Sequence, residues 1–139
     1  MKFLRISLDS NIFRDQDFID WLQLSKDKLD VFLSVISTLE TFHWYNVRGI
    51  SEELFKKDIE ALGAEINDLT YQNIFHISKN AKYSALPFRH HARDFIIGTH
   101  AQVHKSKLIT FNKTHFTWLG EENILSPDEL VVLIEAADS

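Results

Sequence analysis

Apolar residues alternate along the chain between short dense runs and longer stretches with helical spacing, and each change of rhythm marks an element boundary. Residues 3–8 form a dense run that stops at Asp9-Ser10-Asn11, which predicts a strand followed by a turn. From Asp17 to Leu24, the apolar residues Phe18, Ile19, Trp21 and Leu22 fall at helix-like intervals. Residues 31–36 (Val-Phe-Leu-Ser-Val-Ile) are a second, β-branched run and read as a buried strand. Ser37 to Val47 is then predicted helical, with Leu39, Phe42 and either Tyr45 or Asn46 on one side.

Polar punctuation continues the reading. Ser51 is a predicted N-cap ahead of Glu52 and Glu53, and Gly63 closes that helix. Residues 64–68 predict a short strand, and 70–82 a helix with Ile74, Phe75 and Ile77 as its apolar positions. Beyond Pro87 a helix covers about Arg89 to Lys105, and Leu108 to Phe111 is a further strand ending in Asn112. An edge strand around Asn123 to Leu125 precedes Ser126-Pro127-Asp128-Glu129. That quartet is a capping box with proline in the first helical position, and it opens a last helix through Leu130, Leu133 and Ile134. Strands alternating with helices imply βαβ units. The expected fold is therefore α/β, a three-layer sandwich with a mostly parallel central sheet, in a single domain over residues 1–139.

Composition removes several function classes. The 139 residues are 45% apolar, but no run approaches the roughly 20 apolar residues of a membrane span. The first apolar stretch is too short and too broken for a secretion signal, so a cytoplasmic protein is expected. Without cysteine there is no thiolate site, and any metal must use oxygen or imidazole ligands. A net charge of −5 argues against nonspecific nucleic-acid binding over the whole surface, and leaves room for carboxylates gathered around a cation.

Parallel sheets bind ligands at the carboxyl ends of their strands, and the strand ends here are similar in kind. The first delivers Asp9, Ser10 and Asn11. The second delivers Ser37 and, one helical turn on, Glu40. The third delivers Thr110 and Asn112, and Asp94 lies in the helix before it. Neighbouring strands would bring Asp9, Glu40 and Asp94 into one cleft, where their mutual repulsion calls for a cation; Mg²⁺ and Mn²⁺ prefer such oxygen ligands. Each acid also has a local explanation: an Asx turn for Asp9, a Ser37-x-x-Glu40 capping box, and a helix-dipole charge for Asp94. Their common placement favours the shared site.

These segments resemble the motifs of PIN domains. Leu8-Asp9-Ser10-Asn11-Ile12 is similar to the opening motif and Ser37-Thr38-Leu39-Glu40 to the second. Asp94-Phe95-Ile96-Ile97-Gly98-Thr99-His100-Ala101 resembles the third, and Leu108 through Phe116 the fourth. The resemblance implies an Mg²⁺- or Mn²⁺-dependent endoribonuclease, either the toxin of a toxin–antitoxin pair or a related RNA-processing enzyme, with an antitoxin and a second copy of the chain as partners. It implies Asp9, Glu40 and Asp94 as metal ligands, with Ser10, Asn11 and Thr110 in support. Asn112 takes the fourth acidic position as an amide, and His115 stands where an acid commonly precedes the closing Phe. The pattern points to one metal rather than two, and leaves an inactive module that binds RNA or protein as the alternative.

RNA phosphates need positive partners, for which Arg14, Arg89, Arg93 and Lys113 are the candidates; Lys105 and Lys107 read as solvated surface. His100 and His104 have the four-residue spacing of a zinc pair but lack a third ligand. His90-His91 is a further candidate RNA contact. Phe18, Trp21, Phe42, Trp44, Tyr45 and Phe55 are mostly expected in the core; an exposed Phe18/Trp21 face would serve a dimer or an antitoxin. A phospho-receiver domain also places acids at strand ends, but it needs a paired acid and a late-strand lysine that this chain does not show.

Overall fold

The computed structural model describes residues 4–138. Its centre is a five-stranded sheet in the order β3-β2-β1-β4-β5, with every neighbouring pair parallel. The strands are β1 (Leu4–Leu8), β2 (Leu29–Ser34), β3 (Glu65–Asn67), β4 (Lys107–Ile109) and β5 (Ile124–Leu125). Helices α1 (Gln16–Leu24), α2 (Val35–Val47), α3 (Glu52–Ala61), α4 (Tyr71–Tyr83), α5 (Phe88–Val103) and α6 (Pro127–Asp138) supply the crossovers and the last layer. The expected three-layer α/β architecture is present. Phe3, the first residue of the predicted opening strand, lies outside the described residues.

Alternation along the strands sorts the core into two layers. On one face Ile6 and Leu8 of β1, Leu33 of β2 and Ile109 of β4 pack with Leu22 of α1 and with Leu130 and Ile134 of α6. On the other, Leu108 of β4 and Ile124 of β5 meet Ile97 and Ala101 of α5, joined by Phe116 and Leu119. Burying an aliphatic side chain of this kind stabilises by about 1.5–3 kcal/mol, so both layers hold the sheet firmly. Ser7 points to the second face, where its hydroxyl lies 2.6 Å from that of Ser106.

Several boundaries differ from the sequence reading for identifiable reasons. The second strand ends at Ser34, whose hydroxyl accepts from the Ile36 amide and caps α2. The capping box expected at Ser37 is therefore absent, and Val35 and Ile36 are helical. Leu39, expected on the packed side of α2, is 62% exposed, while Ser37 and Thr41 are buried. In α4 only Ile77 of the three expected apolar positions is buried; Ile74 and Phe75 face outward. The capping box at Ser126 is formed: Ser126 N donates to Glu129 Oε1 at 2.9 Å and Glu129 N to Ser126 Oγ at 3.2 Å.

Gly98 shows how α5 is seated. A Cβ there would meet Trp118 Cη2 at 2.6 Å and Cζ2 at 2.7 Å, so only glycine lets the indole lie against the helix. Trp118 also contacts Phe95 at 5.2 Å between centroids, beside Asp94 in sequence. Gly98→Val should cost about 1–3 kcal/mol by overpacking, read as a lower midpoint in urea unfolding with an unchanged slope.

A second prediction concerns the α6 cap. The hydrogen bond from Lys113, then that from the Ser126 backbone, hold the Glu129 carboxyl at about 2, below its ordinary 4.5. A depressed carboxyl stabilises fully above its unfolded value and loses that contribution as pH falls through about 2. The side chain is 49% exposed, so the effect is below about 1 kcal/mol. Glu129→Gln should lower the thermal midpoint slightly at pH 7 and leave it unchanged at the acid end, followed by circular dichroism.

Candidate active site

The three predicted acids come from three different elements. Asp9 follows β1: its amide donates to the Ile109 carbonyl at 3.0 Å, and its Oδ1 accepts from the Ser10 amide at 2.7 Å. That second contact caps the 3-10 turn Ser10–Arg14, so the local role expected of Asp9 exists alongside its place in the cleft. Thr110, directly after β4, donates from Oγ1 to Asp9 Oδ2 at 2.8 Å and accepts from the Asn112 amide at 2.9 Å. Asp9 and Thr110 are fully buried, which fixes the carboxylate plane.

Glu40 projects from the second turn of α2. Freed of the expected capping role, it accepts from Ser10 Oγ at 2.9 Å. Asp94, also buried, sits in α5 just beyond His91, where the helical backbone is interrupted (φ −128°, ψ 18°).

Arg93 joins all three. Its Nε and Nη2 form a fork on Glu40, each at 2.7 Å; Nη2 also reaches Asp9 Oδ1 at 2.7 Å, and Nη1 reaches Asp94 Oδ1 at 2.5 Å. Burial opposes the charge on the guanidinium, but the hydrogen bonds and negative charges of Glu40 and Asp9 outweigh it and hold Arg93 protonated above its usual range. One monocation faces three carboxylates, which leaves a negative balance. Arg93 therefore corrects the sequence reading: it is engaged with the acids rather than held out for phosphate.

On the other side of Asp94, Oδ2 lies 3.1 Å from His91 Nδ1 and 3.4 Å from His115 Nδ1. The two imidazoles meet edge to face at 5.2 Å. A cavity of about 260 Å³ opens over Asp9, Glu40 and Arg93, with Trp44, Arg14 and Asn112 among its walls.

No protein-family model and no curated protein matches the chain. Solved structures do. A toxin–antitoxin complex from Klebsiella pneumoniae aligns with a TM-score of 0.65 at 20% identity, covering 88% of this chain and 97% of that one. FitAB bound to an IR36 DNA fragment aligns with a TM-score of 0.67 at 17% identity, covering 88% and 94%. VapBC2 from Rickettsia felis, bound to a DNA fragment from its promoter, aligns with a TM-score of 0.60 at 17% identity, covering 88% and 98%. The chain has a PIN-domain fold.

Within this PIN fold the remaining expected site residues divide. Asn11, Arg14 and Asn112 line the cleft, Asn11 with long contacts at 3.5 Å, from its Nδ2 to Thr110 Oγ1 and from the Phe111 amide to its Oδ1. Arg89 is exposed at the start of α5. Lys113 is paired with Glu129, and Lys107 donates to the Glu122 carbonyl at 2.5 Å in a separate cavity. The His100/His104 pair forms no metal site: His100 is buried with Nδ1 at 2.8 Å from Ser34 Oγ, and His104 stacks on Phe32. Burial and then the neighbouring His104 lower His100 below the ordinary imidazole range. Phe18 and Trp21 stack together, with Phe18 in the core, so they offer no open face. Phe55 is buried, while Phe42, Trp44 and Tyr45 are half-buried.

Trp44 in the cleft wall and the pairing of His91 with His115 were not legible in the sequence, because each depends on which helix face turns inward. Arg93→Ala should expose the charge problem directly. In metal-free buffer the variant should lose about 1–3 kcal/mol, less than a fully buried ion pair would, because Arg93 is 33% exposed. Mn²⁺ should then raise its thermal midpoint more than that of the wild type. Equal Mn²⁺ shifts in both proteins would show that guanidinium and cation do not compete.

Proposed function

We propose that this chain is a divalent-metal-dependent endoribonuclease, the toxin half of a toxin–antitoxin pair, acting at the cleft of Asp9, Glu40 and Asp94. One observation carries the reading: carboxylates from β1, α2 and α5 converge on a single cation, at 2.5–2.7 Å from one guanidinium. The donor set is all oxygen, which suits Mg²⁺ or Mn²⁺. The acids stand apart by the width of a guanidinium and would close inward on an ion, with Arg93 turning toward solvent.

A bound cation of this class supplies Lewis acidity toward a phosphodiester and a water of lowered pKa. The residues then have separable tasks. Thr110 and the Ser10 amide fix Asp9, and Ser10 Oγ orients Glu40. Glu40 is 35% exposed and the most open of the three acids, and on that ground we assign it the proton from the attacking water. Arg14 and Asn112 lie where phosphate oxygens would enter, and Trp44 offers an aromatic face to a base.

The partner reading rests on the α4 surface. Tyr71, Ile74 and Phe75 are exposed there, next to exposed Phe88 of α5. An apolar face of this kind fits an antitoxin segment, the partner class suggested by the toxin–antitoxin complex that the fold resembles, or a second copy of the chain. Among the described residues no helix is long and apolar enough to cross a membrane.

Arg93 also favours a second reading, an inactive PIN-like module whose acids are occupied for good. One assay separates the two. Purified protein incubated with RNA and Mn²⁺ or Mg²⁺ should cleave it. Asp94→Asn and Glu40→Gln should each lose about a hundredfold or more, and EDTA should abolish cutting. Cleavage by wild type and variants at equal rates, or by none of them, would sink the nuclease assignment.

A further inference from the structure

His91, Asp94 and His115 present one nitrogen, one oxygen and one nitrogen whose positions all lie within 4.8 Å of one another. Among the described residues it is the one group of histidine and acidic side chains already at that spacing. We propose that these three residues form a site for a transition metal of the Zn²⁺ class, distinct from the all-oxygen cluster on the opposite side of Asp94. The inference stands independently of the nuclease reading.

Distances favour it first. Zn–N and Zn–O bonds of about 2.0–2.2 Å in a tetrahedral shell put neighbouring ligand atoms about 3.3–3.5 Å apart. Asp94 Oδ2 already lies 3.1 Å from His91 Nδ1 and 3.4 Å from His115 Nδ1. Only the two imidazoles need to draw together. His115, with its side chain 43% exposed, has the freedom to do so, while His91 at 18% and Asp94 at 4% form the fixed half.

Chemistry then selects the metal. Imidazole is a poor ligand for Mg²⁺ and a good one for Zn²⁺, Co²⁺ or Ni²⁺. The sharing of Asp94 is also orderly. Its Oδ1 accepts from Arg93 Nη1 at 2.5 Å, which leaves Oδ2 for the metal and supplies the hydrogen bond that commonly orients a ligating carboxylate. Arg93 thus holds the ligand from behind while neutralising the other acids. The segment that carries His115 is anchored too: Trp118 Nε1 donates to the His115 carbonyl at 3.0 Å, and its indole rests on Gly98 of α5. Three protein ligands leave one position open toward solvent, the arrangement in which a bound water or an anionic ligand completes the shell.

The test uses Co²⁺ as a spectroscopic probe on EDTA-treated, dialysed protein. One equivalent should produce a visible d–d band, and Zn²⁺ should abolish it while excess Mg²⁺ does not. His91→Ala and His115→Ala should each weaken Zn²⁺ binding at least about tenfold by calorimetry. His90→Ala, an exposed neighbour, should bind as wild type does. His115→Asp should move the preference toward Mn²⁺ and Mg²⁺, and as a substitution of a half-exposed residue it covers the case in which His91→Ala fails to fold. Glu40→Gln should keep the Co²⁺ band. Loss of the band in Glu40→Gln, or unchanged Zn²⁺ affinity in both histidine variants, would overturn the site. An RNA-cleavage failure with the band intact would overturn only the nuclease reading.

Discussion

The guanidinium of Arg93 holds together the acidic corner that this fold assembles. Parallel strands ending side by side deliver Asp9 and Thr110 to one edge of the sheet, and the following helices add Glu40 and Asp94. Two carboxylates about 4 Å apart near a protein surface repel by about 4 kcal/mol, and three repel more. A fork of nitrogens reaching all three turns that repulsion into attraction without asking the acids to move away. Lysine could not do this: a single ammonium lacks the width to serve Glu40 through two nitrogens while reaching Asp9 and Asp94.

Much of this was legible in the sequence because the positions of the acids follow from strand logic. An apolar run that stops at a polar residue marks a strand end, and a parallel sheet gathers its strand ends. Asp9, Glu40 and Asp94 are brought together on that basis, and the PIN resemblance supplies the same residues. The partners of the acids were less legible. Arg93 reads in sequence as a phosphate contact beside Asp94, since no local pattern says that its side chain folds back over two other elements. Glu40 reads as a capping residue because Ser37 stands three positions before it. The structure begins the helix three residues earlier at the Ser34 cap, and this turns Glu40 from the helix end toward Ser10. The shift of one helical turn removes the local capping alternative for Glu40.

The surfaces were read less well than the core, for a related reason. Periodicity finds apolar stripes without saying what covers them. Ile77 of α4 is buried against its neighbours while Ile74 and Phe75, three and two positions away, are exposed, although α4 packs along α5. Phe18, by contrast, is in the core together with Ile19 and Leu22 of α1. The same spacing in two helices therefore has opposite outcomes.

Asp94 is where these constraints meet. Its backbone belongs to α5, whose seat on the sheet depends on Gly98 and Trp118, and Trp118 in turn sets the segment bearing His115. Its two oxygens face different neighbours, a cationic nitrogen on one side and two imidazoles on the other. A carboxylate divided in this way cannot be assigned to one donor set by identity alone. The metal it takes is decided by its companions: oxygen from Asp9 and Glu40 selects a hard cation, and nitrogen from His91 and His115 selects a borderline one. Because Arg93 already spans the oxygen side, a cation there must first displace a guanidinium held by four short hydrogen bonds, whereas on the nitrogen side Asp94 Oδ2 already faces His91 and His115.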